Sequence, residues 1–307
     1  MRSPTLAELP PPPDAVTIWP WTRASPTAPP VMPDGSPWPL VSIVMPVFRQ
    51  GRFLEQAIRS VLLQGYPRLE LIVVDGGSPD DTRTILERYA PWLKYWVSEA
   101  DRGPAHALNK GFAYAGGDLL GVLNGDDFFL PGCLMQVAES FAAHPEAGVI
   151  SGHGYFATPD GTLGVPTFSD PWNLTWFCHG ACVLVQPSTF FRRDAFERAG
   201  GFRENDRVCW DMELWAEMAA TGTVFRSLDA FLAAFRLHAD SITGRPELRH
   251  LRREHARSVA SGVLGRPESA ADRALHYVYR AMKFSRHPAR TVRQRLFFYN
   301  TLGRWSL

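Results

Sequence analysis

The hydrophobic pattern alternates regularly between residues 40 and 152. Short continuous apolar runs predict buried strands at 41–47, 69–74, 92–97, 118–123 and near 147–152. Apolar residues at helical spacing predict helices between those runs, at 53–62, 79–89, 104–115 and 131–143. Ser78 is the expected N-cap of the second helix. The alternation predicts an α/β fold with a mostly parallel central sheet and helices on both faces.

The remainder of the chain has a less regular pattern. We expect irregular structure at 153–180, a strand at 181–186, a helix at 210–221, strands near 223–235, and two or three helices from residue 246. The first 39 residues are rich in proline, which removes backbone donors and disfavours regular structure. Their tryptophans predict a strap that packs on the domain. The expected divisions are a Pro-rich extension at 1–39, an α/β domain at 40–244 and a basic helical region at 245–307.

Composition narrows the classes of function. The 307 residues are 45% hydrophobic and carry a formal net charge of +1. The chain can therefore bury a large core, and it is not a wholly basic nucleic-acid binder, so no nucleic acid is expected as a partner. No apolar run reaches the length of a membrane-spanning helix, and the first residues lack the apolar segment of a signal peptide. We expect a cytoplasmic protein with reduced cysteines.

Charge is distributed unevenly along the chain. Residues 245–307 hold 14 Lys and Arg against 4 Asp and Glu, whereas the preceding part is acidic overall. Within 286–307, arginines alternate with apolar residues such as Val292 and Leu296. This pattern is typical of a basic amphipathic helix in peripheral contact with an anionic membrane surface. The alternative is a helix packed on the α/β domain, with its arginines solvated or paired with the acidic part.

Two acidic turns directly follow predicted strands. Asp75 begins a turn that continues Gly-Gly-Ser, and Asn124-Gly-Asp-Asp follows the fourth strand. Ligands of parallel sheets bind beyond the carboxyl ends of the strands. Asp75 can accept hydrogen bonds from a base or ribose. The adjacent Asp126 and Asp127 are costly beside a buried strand unless a cation such as Mn²⁺ or Mg²⁺ compensates them. The alternatives are a helix-capping turn and a solvated turn.

Two further positions carry candidate chemistry. Asp211 lies in the first turn of the helix at 210–221, where the helix dipole favours the ionised carboxylate that a general base requires. The alternative is an aspartate that only caps the helix. His238 can ligate a metal, and Arg236 can meet a phosphate. A lone histidine is, however, more often structural.

Taken in order, the stretches that carry these residues resemble family 2 glycosyltransferases of the GT-A fold. The resemblance covers residues 40–243 and rests on the stretches 41–48, 60–67, 71–80, 98–103, 107–111, 123–127, 186–193, 210–215 and 235–238. Each stretch is short, but their order and spacing together are specific. The sequence departs from the family at His106, where Asp is frequent, and at Gly125, where Ser is frequent. The resemblance implies a GT-A domain at 40–244.

The resemblance implies a role for each matching residue. A nucleotide-sugar donor, expected to carry UDP, would be bordered at its base and ribose by Pro46, Phe48 and Asp75. Its sugar diphosphate would be lined by Asp101, Asn109 and Lys110. Asp126 would face ribose or metal-bound water, Asp127 would ligate Mn²⁺ or Mg²⁺, and His238 would complete the metal shell. Asp211 would deprotonate the acceptor hydroxyl. The acceptor side would comprise Gln186, Pro187, Ser188 and Trp210.

The expected reaction is sugar transfer to a hydroxyl of a glycan or lipid-linked glycan. A single positioned carboxylate base favours one displacement with inversion, because retention through a covalent intermediate needs a nucleophile beside the reacting carbon. Two alternatives stay open. One is a nucleotidyltransferase on a similar sheet, and the other is a non-catalytic module that binds a sugar or a partner.

Overall fold

The computed structural model describes residues 3–12, 16–204 and 208–303, which form a mixed sheet of nine strands flanked by helices. The strands are β1 Val41–Val47, β2 Leu69–Asp75, β3 Tyr95–Ser98, β4 Leu119–Val122, β5 Phe128–Phe129, β6 Ala147–Ala157, β7 Leu163–Thr167, β8 Thr189–Arg192 and β9 Val224–Arg236. The helices are α1 Gly51–Leu62, α2 Thr82–Tyr89, α3 Pro104–Phe112, α4 Cys133–Ala143, α5 Leu174–Cys178, α6 Arg193–Arg198, α7 Trp210–Ala220, α8 Arg249–Leu264, α9 Ala270–Arg286 and α10 Pro288–Leu302. The predicted α/β class with a helical C-terminal tail is confirmed.

The sheet has a parallel half and a mixed half. Its strands lie in the order β3-β2-β1-β4-β8-β6-β9-β5, and β7 also pairs with β6. The first four in this order run parallel, as the alternating pattern predicts. β8 then lies antiparallel between β4 and β6, while β6 and β9 pair in parallel. Every residue of β1 and β2 is buried, which explains their continuous apolar runs.

Alternate residues of β1 enter two separate apolar cores. Ile43 packs in the core under α1 and α4, whereas Val44 packs in the core with α3 and α7. Helix α3 approaches the sheet very closely at Gly111, where an added Cβ would lie 2.4 Å from a methyl carbon of Val44. The two cores hold the strand ends rigidly from both faces of the sheet.

The N-terminal extension is a strap whose aromatic side chains are buried. Trp19 donates its indole N–H to the carbonyl of Phe129 at 2.7 Å, and Trp38 donates to Pro29 at 2.8 Å. The guanidinium of the fully buried Arg59, on α1, donates to the strap carbonyls of Pro10, Pro20 and Trp21. These contacts satisfy backbone acceptors that have no strand or helix partners.

Three local predictions are wrong. Ser78 does not cap α2, because its hydroxyl donates to Asp75 at 2.5 Å and α2 begins later, at Thr82. Residues 181–186 form no strand; a 3₁₀ turn over Gln186–Ser188 leads into β8 instead. The region from 153 is not wholly irregular, since β6 extends to Ala157 and β7 and α5 follow. Pairing with distant strands, which local periodicity does not report, decides these segments.

The C-terminal helices each pack one face on the α/β domain. Ala260 of α8 is buried, Asp272 of α9 lies 3.3 Å from the imidazole Nε2 of His179, and Phe298 of α10 packs edge-on against Phe156. The packed alternative is thus observed for these inner faces. Residues 304–307, part of the predicted membrane-contacting segment, lie outside the described residues. Among the helices described, none combines the length and apolar character required to cross a bilayer.

Candidate functional site

The two acidic turns meet at the carboxyl edge of the parallel strands. Val47, the last residue of β1, pairs with Asp75 at the end of β2. On its other side, β1 contacts the second turn, where the N–H of Gly125 donates to the carbonyl of Pro46 at 3.3 Å. The end of β1 therefore separates Asp75 from the Asn124–Asp127 turn, as expected for a ligand edge in a parallel sheet.

Asp75 is completely buried, and its carboxylate organises the loop that follows. It accepts hydrogen bonds from the Ser78 hydroxyl at 2.5 Å, the Ser78 N–H at 3.1 and 3.2 Å, and the Ser98 hydroxyl at 2.6 Å. Pro46 is buried in β1, whereas the ring of Phe48 just beyond it is 54% exposed. Phe48 is thus the open aromatic surface at this edge, beside a loop made rigid by Asp75.

Asp126 and His238 come together although 112 residues separate them in sequence. The Asp126 carboxylate lies 2.9 Å from the imidazole Nε2 of His238, and both side chains are largely buried. The Nδ1 of His238 lies 3.3 Å from a guanidinium nitrogen of Arg52. Arginine can only donate, so Nδ1 accepts and Nε2 carries the proton that Asp126 receives as a hydrogen bond. The same arginine pairs with Asp240 at 2.7 Å.

Asp127 faces a different direction from Asp126. Its carboxylate accepts from the backbone N–H of Arg236 at 2.8 Å and from the Asn124 amide at 3.4 Å. The side chain is 1% exposed. Burial first, and then the adjacent negative charge of Asp126, raise the pKa of Asp127 well above its ordinary value. Asp127 therefore ties the acidic turn to β9, while Asp126 reaches the imidazole.

Arg236 supports this turn through buried hydrogen bonds, and its guanidinium does not reach a surface where phosphate could bind. Its guanidinium donates to the carbonyls of Asp126 and Pro159, at 2.6 and 2.8 Å, and to the Gln56 amide oxygen at 2.7 Å. The side chain is buried, and desolvation lowers its pKa. The predicted phosphate contact is replaced by a structural role.

The residues expected near the sugar diphosphate differ in what they contact. Asp101 accepts from the N–H of Gly103 at 2.8 Å, and it lies so near the Asp75 loop that a Cβ on Gly76 would be 2.7 Å from its carboxylate. Lys110 pairs with Glu99 at 2.6 Å. Asn109 instead exchanges two hydrogen bonds with the backbone of Phe202, at 2.7 and 3.0 Å. Asp101 and Lys110 thus lie beside the edge, whereas the Asn109 amide holds the segment that precedes α7.

The acceptor-side candidates are partly built into the acidic turn. Gln186 accepts from the Asn124 amide at 3.0 Å and donates to the carbonyl of Val122 at 3.0 Å. Pro187 and Ser188 are buried in the same 3₁₀ turn, where the Ser188 hydroxyl donates to the His153 carbonyl at 2.8 Å. This turn therefore fixes the position of the Asn124 side chain next to the carboxylates.

Asp211 lies in the first turn of helix α7, as predicted. Its half-buried carboxylate accepts from the N–H of Met212 at 2.9 Å. The preceding residue, Trp210, is 6% exposed and packs edge-on against Phe202. Through Phe202, the start of α7 is connected to the Asn109 amide. The first turn of α7 is thus anchored to α3 at the carboxyl edge of the sheet.

Sequence reasoning missed three residues of this site. Arg52 and Gln56 on α1 contact His238 and Arg236, and nothing in the pattern of an amphipathic helix marks them. The third is Gln50, whose buried side-chain oxygen has no hydrogen-bond partner among the described residues. It lies against the acidic turn, 2.9 Å from the place of a Cβ on Gly125. A buried acceptor left unsatisfied is a feature that a bound cation or its water would explain.

A divalent cation fits the donor chemistry of this corner. The carboxylates of Asp126 and Asp127, the imidazole of His238 and the unsatisfied oxygen of Gln50 are all ligand types that Mn²⁺ or Mg²⁺ accepts. Within the ranges described, however, no three His, Cys, Asp or Glu side chains already converge as a metal cluster. The case for a divalent cation therefore rests on the ligand types of these residues and on their proximity.

Comparison with known proteins identifies the family. The profile of Glycosyl transferase family 2 matches residues 42–200, and the chain belongs to that family. An uncharacterised glycosyltransferase of Mycobacterium tuberculosis is 32% identical over 179 residues, which cover 57% of this chain and 67% of the relative. An uncharacterised glycosyltransferase of Nostoc sp. is 33% identical over 215 residues, covering 64% and 65%.

Solved structures confirm the GT-A type of fold. TarS of S. aureus, in complex with UDP-GlcNAc, superposes with a TM-score of 0.61 at 16% identity, covering 81% of this chain and 72% of TarS. A mannosyltransferase of Pyrobaculum calidifontis, in complex with GDP-Man and Mn²⁺, gives a TM-score of 0.54 at 20% identity, covering 92% and 90%. At these identities the likeness shows the fold and no more.

Proposed function

We propose that this family 2 glycosyltransferase moves a sugar from a nucleoside-diphosphate sugar to a hydroxyl of a glycan or lipid-linked glycan. The observation that carries the proposal is the convergence of Asp75 and the Asp126–His238 pair on one carboxyl edge of the sheet. UDP is our first choice of nucleotide, and GDP is the alternative, since the structural relatives bind one or the other. The predicted cytoplasmic location stays a prediction.

The nucleotide is assigned to the edge formed by β1 and β2. Phe48 offers an exposed ring on which a base can stack, and the Asp75 loop provides the polar border for the ribose. Pro46 is the penultimate residue of β1. Asp101 and Lys110 lie along the next segment and are assigned to the sugar diphosphate, where the lysine cation suits a phosphate. Asn109 acts indirectly in this assignment, by positioning the start of α7.

The cation, Mn²⁺ or Mg²⁺, is assigned to the acidic turn. The sequence prediction gives it to Asp127 and His238. The hydrogen bonds favour Asp126 as the carboxylate partner of His238, because the two carboxylate oxygens of Asp127 accept hydrogen bonds from Arg236 and Asn124. We therefore assign Asp126 and His238 as ligands, with Asp127 holding the turn; a bound cation would replace the Nε2 proton of His238, which is released. When bound, such a cation stabilises the charge that develops on the diphosphate leaving group.

The acceptor is assigned to the space between Gln186–Ser188 and the start of α7. Asp211 accepts the proton of the attacking hydroxyl as the new bond forms on the face opposite the leaving diphosphate, which gives inversion. Its position in the first helical turn favours the carboxylate form that this step requires. Trp210 is the apolar wall that fixes the orientation of that turn.

The first experiment measures donor binding and turnover. The protein is incubated with UDP-, GDP- and dTDP-sugars, with and without Mn²⁺, and thermal stabilisation and release of nucleoside diphosphate are recorded. We expect one nucleotide family to stabilise the protein only when metal is present. Turnover of a nucleoside triphosphate with a sugar phosphate would instead indicate a nucleotidyltransferase. Sugar binding without any release of diphosphate would indicate a binding module.

Variants of the adjacent aspartates test the metal assignment. Asp126→Ala should abolish metal-dependent stabilisation by the nucleotide, because it removes the carboxylate beside His238. Asp127→Asn should keep a metal response but lower thermal stability, because the Asn124 amide then meets a donor. The reverse result would return the metal to Asp127. Glu139→Ala, an acidic residue exposed on α4, is the matched control, and it should change neither property.

A further inference from the structure

Helices α9 and α10 each carry large apolar side chains on the face turned away from the domain. The inner faces, at 272, 276, 279 and 283 and at 291, 294, 298 and 301, recur at helical spacing and pack on the domain. A second series, offset from the first, faces outward. Its large members are between 43% and 73% exposed: Tyr277, Val278, Phe284, Val292, Leu296 and Tyr299. Each of the two consecutive helices thus has an exposed apolar face, and we call these two faces together the outer tail face.

Small residues fill the spaces between these large side chains. Ala274 and Ala281 lie on the outer side of α9, and Ala289 lies on that of α10, all of them exposed. Large apolar side chains exposed in such numbers are uncommon on a monomer unless they bind something. The packing of the tail does not require it, since the inner faces already bury Asp272 and Phe298.

The margins of the outer tail face are cationic. Arg273 and Arg280 flank the apolar series of α9, and Arg293 and Arg295 flank that of α10; all four are exposed. The tail ion pairs that the structure describes, Arg257–Glu268, Arg266–Asp272 and Lys283–Asp170, use none of them. The single carboxylate within these helices, Asp272, is buried and already paired with Arg266 and Ser269.

We infer that the outer tail face docks on an anionic lipid bilayer surface. Exposed apolar and aromatic side chains with arginines beside them match a helix pair lying in the interface plane. The long arginine stems reach lipid phosphates while the tyrosines sit at headgroup depth. A second copy of this chain or another protein partner would more commonly cover a compact central patch with a polar rim.

The inner face of α10 packs close to the candidate site. Its residues Gln294 and Phe298 contact Pro166 of β7 and Phe156 of β6. The last residue of β6, Ala157, pairs with Arg236, which holds the acidic turn. The tail therefore contacts the domain next to the strand pair that supports the edge assigned to transfer. The docking itself does not depend on that assignment.

Vesicle sedimentation of the full chain tests this inference without donor or acceptor. Vesicles of phosphatidylcholine alone are compared with vesicles containing roughly one third phosphatidylglycerol, at low and high salt. One variant replaces Arg273, Arg280, Arg293 and Arg295 by Gln. A second carries Tyr277→Ser, Phe284→Ser and Leu296→Ser. The matched control replaces four exposed arginines of the α/β domain by Gln, at Arg83, Arg88, Arg198 and Arg226.

The wild-type chain and the control should bind anionic vesicles in a salt-sensitive manner. The tail-arginine variant should lose about tenfold or more in partitioning, since each arginine near an anionic leaflet adds roughly fivefold. The serine variant should also lose binding while unfolding at the same temperature as wild type. Absence of binding, or equal losses in the control, would overturn the inference. So would a self-association of the wild type that the serine variant abolishes without any vesicle binding.

Discussion

The aromatic residues near the two ends of the chain differ in how far they are exposed. The N-terminal strap buries Trp19 and Trp38 to 6% and 2% exposure and gives each indole N–H a carbonyl partner. The tail exposes Tyr277 to 73% and flanks it with arginines. Both segments lie outside the predicted α/β domain, and both pack on it. The tail buries Phe298 in that packing, but it leaves several other large apolar side chains exposed.

This difference separates residues that stabilise the fold from residues available for binding. A buried indole with its N–H satisfied contributes through area removed from water and avoids an unsatisfied donor. An exposed tyrosine on a docked helix contributes little to folding. Substitutions at the two ends should therefore differ in their effect on stability, and these differences provide tests.

The largest effect is expected in the strap. Trp38→Ala should lower the free energy of unfolding by about 3–5 kcal/mol, because it leaves a cavity beside Tyr66. Tyr277→Ala in the tail should change it by less than about 0.5 kcal/mol. Urea unfolding measures the two values. It is followed by circular dichroism for both variants and also by tryptophan fluorescence for Trp38→Ala. Equal losses would contradict the distinction between the ends.

A smaller effect is expected within α10, where the two faces can be compared directly. Phe298→Ala should lower the free energy of unfolding by about 2 kcal/mol. This loss is smaller than for a residue of the central core, because α10 can detach from β7 without unfolding the sheet. Hydrogen exchange should then show faster exchange of α10 amides. Leu296→Ala, on the outer face, is the control and should leave exchange unchanged. Faster exchange in the control would show that the outer face also supports the fold.

The smallest effect concerns the acidic link of α9 to the domain. Hydrogen bonds from Arg266 and Ser269 hold the pKa of Asp272 far below its ordinary value of 3.8. A carboxyl with a depressed folded pKa contributes stability above its unfolded pKa and loses it as pH falls through the folded value. The wild type should therefore lose tail stability below about pH 4 more steeply than Asp272→Asn does. Thermal unfolding from neutral to acidic pH measures the two slopes, and parallel slopes would contradict the link.

Much of the parallel half of the sheet could be predicted from the pattern. β1, β2 and β4 are continuous apolar runs since both of their faces are buried, and the turns with Asp75 and Asn124–Asp127 end those runs. The mixed half of the sheet is harder to predict from the pattern, because β8 and the second half of β6 form strands by pairing with distant partners. Local propensity carries no information on such pairing.

The sequence by itself determined the alternating strands and helices up to residue 152 and the placement of the acidic turns, since each depends on neighbouring residues and periodicity. Only the tertiary structure decided that His238 meets Asp126, that Asp127 is tied to β9, and that Arg236 is buried. It also decided which face of α10 is covered. The physical reason is that hydrogen-bond partners about a hundred residues apart are chosen by the packing of the whole sheet, and the local pattern does not record that packing.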